Sequence, residues 1–425
     1  MEPEAAPARG HLPTLLASFL HFDLSFMLWV MFGALGNFIA EDAGLSNVEK
    51  GLVVAVPLLT GSLLRIPLGI LSDRMGAKRV GVAMLAFLFL PLAFGWQAGS
   101  HLSALIAVGL MLGVAGASFA VALPLASRWY PAERQGLVMG IAAAGNSGTV
   151  IANLAAPRIA GVVGWHNTLA LAMVPLAIVF LAFLFMAKDR PSDFAQDRPF
   201  DFAQDRPGPT VKSTLGQYAT LLKQKDLWWF CVFYSVTFGG YVGLSSFLPI
   251  FFRDEYGVSK VTAGYLVAGA AFLGSAIRPL GGYLADRIGG VRMLTVLLLF
   301  IGLLYMLSAQ LPPLPGMTML LLLAMACLGL GNGATFQAVP QRFPQQIGGA
   351  TGVIGALGGA GGFLLPMLLE TAKESTDSFS GGFLALGVLA LVAALLLRVL
   401  TVRQSGWQTA WRTAPEPQAT KGLRA

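Results

Sequence analysis

The chain has 425 residues, 56% of them hydrophobic and 12% charged, with a mean hydropathy of +0.70 and a net charge of +7. A soluble domain carries about 25% charged residues, so a water-soluble fold of this length is excluded and a bilayer must supply the apolar solvent. Cys231 and Cys327 both sit in apolar runs and the four histidines lack metal-ligand spacing, so no disulfide framework, metal site or cofactor is expected.

A membrane-spanning helix needs about 20 mostly apolar residues. After a cytoplasmic tail, 1–13, twelve spans are predicted in chain order: 14–40, 51–72, 80–98, 104–127, 136–160, 167–187, 227–251, 261–285, 293–310, 318–341, 347–370 and 381–401. The first run is longer than the ~7–15 residues of a signal-peptide core, so it is read as a permanent helix. Residues 14–187 and 227–401 form two six-helix bundles, joined by a cytoplasmic linker, 188–226, and followed by a cytoplasmic tail, 402–425. The linker holds two identical copies of Asp-Phe-Ala-Gln-Asp-Arg-Pro, at 193–199 and 201–207, read as a low-complexity insertion.

The two bundles repeat one another. Arg65-Ile-Pro-Leu-Gly69 running to Asp73-Arg74-Met-Gly76 recurs as Arg278-Pro-Leu-Gly-Gly282 running to Asp286-Arg287-Ile-Gly289, a shift of 213 residues that also carries Gly145 to Gly358 and Gly148 to Gly361. A constant offset across separate helices implies a duplicated unit with a substrate site between the halves. Of the 28 Lys and Arg, only Lys50, Arg253, Lys260 and Lys373 fall in outer loops, and Arg65, Arg158 and Arg278 within spans away from the last turn on the side of the termini. The rest lie on the side of the termini, which is the positive-inside pattern of a bacterial inner membrane protein with both ends cytoplasmic. That pattern explains the basic balance without nucleic acid.

Arg65 and Arg278 carry the strongest functional signal. Each lies about eight residues, or about 12 Å, inside the bilayer from its Asp-Arg loop. A charge at such depth marks a functional site, and neither span supplies an acid at a helical neighbour position. The planar, doubly donating guanidinium matches a planar oxyanion such as nitrate or a carboxylate. Two arginines without two acids leave a cavity that rejects cations, and its charge when empty favours exchange over empty return. Asp23 lies in the first span at a depth like that of Arg65. It could pair with Arg65, couple transport to protons, or be held by local polar contacts. His21 is read as a hydrogen-bonder to a facing helix.

Glycines line the fifth and eleventh spans: Gly145-Asn-Ser-Gly148, and Gly352, Gly355, Gly358 and Gly361. Close helix packing accounts for them, and a backbone approaching a small anion, with the Asn146 amide as donor, is compatible with it. Asp73, Arg74, Asp286 and Arg287 sit at cytoplasmic helix ends, where the carboxylates can cap helices or pair with Arg128 and Arg342. They are read as a gate. No Ser/His pair, metal cluster or carboxylate pair has catalytic spacing within the spans, so the chain is not expected to be an enzyme.

The doubled Gly-x-x-x-Asp-Arg-x-Gly loop resembles the hallmark of the major facilitator superfamily. Three stretches resemble, more narrowly, its nitrate/nitrite porter family: Gly116-Ala-Ser-Phe-Ala-Val-Ala-Leu-Pro with Trp129-Tyr-Pro131; Gly145-Asn-Ser-Gly148; and Gly329-Leu-Gly-Asn-Gly-Ala-Thr-Phe336-Gln with Gly355-Ala-Leu-Gly-Gly-Ala-Gly-Gly-Phe363. The resemblance implies an all-α membrane protein of twelve transmembrane helices in two pseudo-symmetric bundles, and transport of nitrate or nitrite by exchange or proton symport. It implies that Arg65 and Arg278 bind the anion and that Phe119, Tyr234 and Phe238 close over it. A small organic anion is the alternative cargo. A monomer is expected, because one chain holds both halves of the site.

Overall fold

A computed structural model describes residues 10–97, 99–130, 144–189, 219–343 and 347–403, together with Val138, Ile141 and Trp407. Most of the 1–13 tail, most of the 188–226 linker with its repeated heptapeptide, the start of the fifth predicted span and nearly all of the 402–425 tail lie outside the described residues.

Among the described residues the chain is helical throughout. We number the helices by span: α1 Leu12–Trp29, carried on by Met31–Ala34 and Gly36–Ala43; α2 Asn47–Met75; α3 Ala77–Gln97; α4 Leu102–Ser127; α5 Gly148–Val163; α6 Trp165–Met186; α7 Lys225–Tyr256; α8 Lys260–Ile288; α9 Gly290–Ser308; α10 Leu314–Arg342; α11 Ile347–Thr376; and α12 Ser380–Arg403. Eleven of these are long and apolar enough to cross a membrane. The other, α5, is entered through a 3₁₀ turn, Ala144–Ser147, and its upstream part falls outside the described residues.

Large apolar side chains point outward on nearly every helix, among them Phe185, Ile178, Leu395 and Phe272. Water would not tolerate so continuous an apolar surface, and the molecule is a multi-pass membrane protein. Prolines such as Pro57, Pro67 and Pro249 sit inside helices, as membrane helices allow when neighbours satisfy the freed carbonyls. Across the helices, Trp29 Nε1 donates to the Pro57 carbonyl at 2.7 Å, which ties α1 to α2.

The repeat seen in sequence has a backbone cause. Gly76 ends α2 at φ +94° and Gly289 ends α8 at φ +99°. A side chain is strained there, so the last glycine of each Asp-Arg-x-Gly loop makes the turn into the next helix.

The halves meet where α2 lies along α11, α5 along α8, and α1 against α7. These seams are narrow. A Cβ on Gly33 would strike the Ser246 backbone, one on Gly264 the Asn153 carbonyl, and one on Gly359 the Ser62 side chain. One end of the seam is held by charge. Lys50 Nζ reaches Asp254 Oδ2 at 2.5 Å, Lys260 Nζ reaches Glu41 Oε2 at 2.5 Å, and the Val48 amide donates to Glu374 Oε2 at 2.8 Å. Slightly deeper, Asn37 Nδ2 donates to the Pro249 carbonyl at 2.7 Å. All four contacts cross from one half to the other.

At the opposite end the ion pairs stay within a half. Arg128 Nη2 meets Asp73 Oδ1 at 2.7 Å, and Arg342 Nε meets Asp226 Oδ2 at 2.6 Å. Pairing of Arg342 with the repeat-matched Asp286 was one sequence expectation, and it is corrected here. Asp226 opens α7 in the same half and takes the guanidinium, while Asp286 is exposed and makes no ion pair among the described residues. Arg74 and Arg287 are also exposed, Arg287 lying over the Tyr283 ring.

Candidate functional site

Midway along the seam, Arg65 is 2% exposed. No carboxylate meets it. Its Nε donates to the Gly116 carbonyl at 3.0 Å and its Nη1 to the Gly355 carbonyl at 2.7 Å. One bond goes to its own half and the other to the second half. The third nitrogen, Nη2, is buried without a hydrogen-bond partner.

Glycine is required for close approach at one of these two carbonyls, that of Gly116. A Cβ on Gly116 would enter the Trp29 indole, so this position lets the ring close against α4. Gly116 and Gly113 fall in the 3₁₀ segment Gly113–Ala117 that breaks α4. Gly355 stands in the glycine row of α11, where a Cβ would lie 3.7 Å from Arg65 Nη1.

Aromatic rings surround the guanidinium: Phe238 at 4.9 Å, Trp29 at 5.3 Å and Phe119 at 5.5 Å from its carbon to the ring centroid. A cation–π contact away from water contributes about 2 kcal/mol or more, and the rings also keep water off the charge. Phe238 stacks on Tyr234, centroids 5.0 Å apart and planes 2° from parallel. Tyr234 immediately precedes, and Phe238 lies within, a π turn, Ser235–Gly239, in α7, and such turns recur at functional sites. Gly358 lies under the same stack, since a Cβ there would press into the Tyr234 ring.

The second arginine joins through Tyr234. Arg278 Nη2 approaches the Tyr234 hydroxyl at 3.5 Å, a long contact, and its guanidinium lies 5.7 Å from the Phe336 ring centre. Arg278 Nη1 is buried and unpartnered. Phe336 in turn touches Tyr234 (4.9 Å, edge-on) and Phe119 (6.1 Å). The result is a closed set, Arg65, Phe119, Phe336, Arg278, Tyr234 and Phe238, in which each half gives one arginine. Each arginine keeps one N–H-bearing nitrogen unshared. Arg65, Tyr234 and Phe238 are buried, whereas Phe119, Phe336 and Arg278 are partly exposed. Both partly exposed rings lie toward the Asp73 ends of α4 and α10.

The sequence expectations divide accordingly. Arg65, Arg278, Phe119, Tyr234 and Phe238 are brought together. Gly358 shapes their packing. Gly145 and Gly148 pack α5 on α1, where a Cβ would meet Phe22 at 2.7 Å or the Met27 amide at 2.7 Å respectively. Asn146 is buried with Oδ1 unpartnered, and no hydrogen bond joins it to either arginine. Asp23 does not pair with Arg65; it accepts from Ser147 Oγ at 2.6 Å. Local polar contact, the third of the readings above, therefore describes it. His21 Nε2 lies 3.3 Å from the Gly81 carbonyl on α3, facing-helix bonding as expected.

Phe336 and Trp29 were missed as site residues. Phe336 carried a signal, being the aromatic of the α10 glycine signature as Phe119 is of the α4 one. Trp29 carried none, since one more aromatic in an apolar span is ordinary.

Residues 16–366 match the Major Facilitator Superfamily. The chain is 34% identical over 389 residues to the nitrite extrusion protein of Bacillus subtilis, covering 92% of this chain and 94% of the relative. It is 33% identical over 391 residues to the probable nitrate/nitrite transporter NarK2 of Mycobacterium tuberculosis, covering 91% and 95%. With the probable nitrate/nitrite antiporter NarK1 of Thermus thermophilus it shares 31% over 411 residues, 92% of each chain. Among solved structures, a crystal structure of the nucleoside transporter NupG superposes with a TM-score of 0.68 at 17% identity, covering 91% of this chain and 99% of that one. At that identity the likeness is one of fold.

Proposed function

Because the chain belongs to the Major Facilitator Superfamily, and within it to the nitrate/nitrite porters, we propose that it carries nitrate, nitrite or both across the membrane by alternating access, as a nitrate/nitrite exchanger or a nitrate/proton symporter. The observation that carries this reading is the pair of repeat-matched arginines, each with one unshared nitrogen, set among rings from both halves. A small planar anion can take both nitrogens and slide between flat aromatic faces. Its charge offsets two guanidiniums that no carboxylate neutralises.

We read the Asp73 end as cytoplasmic, following the Lys and Arg distribution. Both termini are then cytoplasmic, in a bacterial inner membrane. On this reading the structure is closed outside, by Lys50–Asp254 and Lys260–Glu41, and accessible from inside. The Asp73–Arg128 and Arg342–Asp226 pairs are then intra-half braces of the cytoplasmic gate. An empty site holds two arginines without a counter-charge. Refolding the outer gate around it is disfavoured, and that supports exchange. Asp23 is the candidate for proton coupling under symport, and a monomer suffices because one chain completes the site.

Calorimetric titration of the purified protein with nitrate, nitrite and acetate tests the cargo. Binding of nitrate or nitrite, with acetate far weaker, is expected. Preferential binding of acetate would replace this reading with that of a small organic anion porter.

A further inference from the structure

The closed outer gate contains a charge that anion transport does not use. Glu370 lies near the outer end of α11, with a side chain that is 0% exposed. Its carbons press on α2 of the other half: a Cβ on Gly51 would sit 3.0 Å from both Glu370 Cβ and Cγ. Neither carboxylate oxygen has a hydrogen-bond partner.

One cation stands near. Lys50 Nζ is 4.0 Å from Glu370 Oε1, yet it is committed to Asp254 Oδ2 at 2.5 Å. On its own helix Glu374 takes the Val48 amide and Lys373 pairs with Asp377 at 3.4 Å. Glu49 of α2 is occupied by the amide of Ser46 at 2.8 Å. In α10 and α12, also packed on α11, the charged residues, Arg342, Arg398 and Arg403, lie toward the cytoplasmic end. Closing the gate therefore brings one ammonium to two carboxylates. Asp254, which is partly exposed, captures it, and Glu370 is sealed away from water without a donor. An ionised carboxylate in that position is strongly disfavoured, whereas Glu374, one turn on, is exposed and satisfied.

We propose that Glu370 is a proton-binding site of the outer gate: its carboxylate takes one proton from external water as the gate shuts and returns it to the same side when the gate opens. The step forms one O–H bond and moves no other group. The proton is bound rather than carried across, so external acid shifts the protein toward the inward-facing state without adding a proton to the transport stoichiometry. Opening separates α2 from α11 at Gly51 and hydrates the carboxylate. The inference rests on the alternating-access reading above, and is independent of which anion is carried.

The test is electron–electron distance measurement on full-length protein in lipid nanodiscs. Spin labels are placed at His101→Cys and Gln310→Cys, exposed outer positions in opposite halves, on a Cys231→Ala/Cys327→Ala background. In anion-free buffer the closed-to-open ratio is expected to rise as pH falls from about 8 to about 5, by up to about tenfold per unit for one linked proton. Glu370→Gln should hold the closed population high and flat across that range. An unchanged pH response in the variant, or a flat wild type, overturns the proposal. A second measurement does not need that variant to fold: the closed wild type should show the infrared carbonyl band of a protonated carboxyl, shifted in Glu370→Asp. Absence of such a band also overturns it. Nitrate titration of the same samples separates the two readings. Nitrate binding with a pH-indifferent gate refutes only the Glu370 site, and a pH-responsive gate without nitrate binding refutes only the cargo.

Discussion

Replacing Arg65 with lysine keeps the charge and removes the geometry. The arginine divides its nitrogens among the Gly116 carbonyl at 3.0 Å, the Gly355 carbonyl at 2.7 Å and an unshared position for the anion. Its plane also lies among Phe238, Trp29 and Phe119. A lysine ammonium is one point at the end of a flexible stem. It can hold either the two carbonyls or the anion in good geometry, so at least one charge-assisted hydrogen bond is lost, at about 1.5–3 kcal/mol. Lost stacking over the rings adds about 0.5–1 kcal/mol. The sum, about 2–4 kcal/mol, corresponds to a nitrate affinity roughly 30- to 1,000-fold weaker. Calorimetric titration of Arg65→Lys reads this directly, with thermal unfolding to confirm that the fold is intact. A dissociation constant within about threefold of the wild type would refute the geometric argument and leave Arg65 as a generic positive charge.

The other expectations follow from single contacts. Gly358→Ala drives a methyl into the Tyr234 ring and should abolish transport in liposomes while the protein still reaches the membrane; wild-type transport would remove Gly358 from the site's support. Lys260→Met breaks the partly exposed pair with Glu41, where such pairs contribute about 0.2–1 kcal/mol. Distance measurements should show the outer gate shifting toward open by up to about fivefold, and no shift would mean the pair does not hold it. Asp42, near the outer end of the α1 continuation Gly36–Ala43 and beyond the predicted first span, has its carboxyl held below the usual range by hydrogen bonds from Ser100 Oγ and Trp165 Nε1. A lowered carboxylate stabilises the fold above its unfolded value of about 4 and loses that contribution only as pH falls further. Asp42→Asn should therefore lower the melting temperature equally at all pH values above about 5, and a pH-dependent difference in that range would contradict the assignment. Asp23→Asn leaves Ser147 as its hydrogen-bonding neighbour and should leave exchange intact; loss of proton-driven uptake alone would establish symport through Asp23.

What could be read from the sequence was depth, and what could not was direction around the helix. Arg65 and Arg278 stood out because a fixed offset and a common distance from the Asp-Arg loops do not depend on rotation. Asp23 lies at a similar depth, yet the close approach of Gly148 to α1 sets Ser147 beside it and not Arg65. The repeat suggested Asp286 for Arg342, but the start of α7 offered a nearer carboxylate in Asp226. Glycine spacing in α11 was plain as a pattern. That Gly355 supplies a carbonyl to Arg65, Gly358 a bed for Tyr234 and Gly359 room for Ser62 depends on the facing helices. Glu370 passed unnoticed, because an acid near the end of a predicted span reads as a hydrated one. Only the packing of α2 on α11 shows it to be sealed.

The central claim is tested most directly by nitrate counterflow in proteoliposomes, with nitrite trapped inside, nitrate outside and equal pH on both sides. Wild-type protein should take up nitrate only when nitrite is trapped or when a proton gradient is imposed, and Arg65→Lys and Arg278→Lys should each abolish uptake. A well-folded wild type that moves neither anion under either drive would contradict the account.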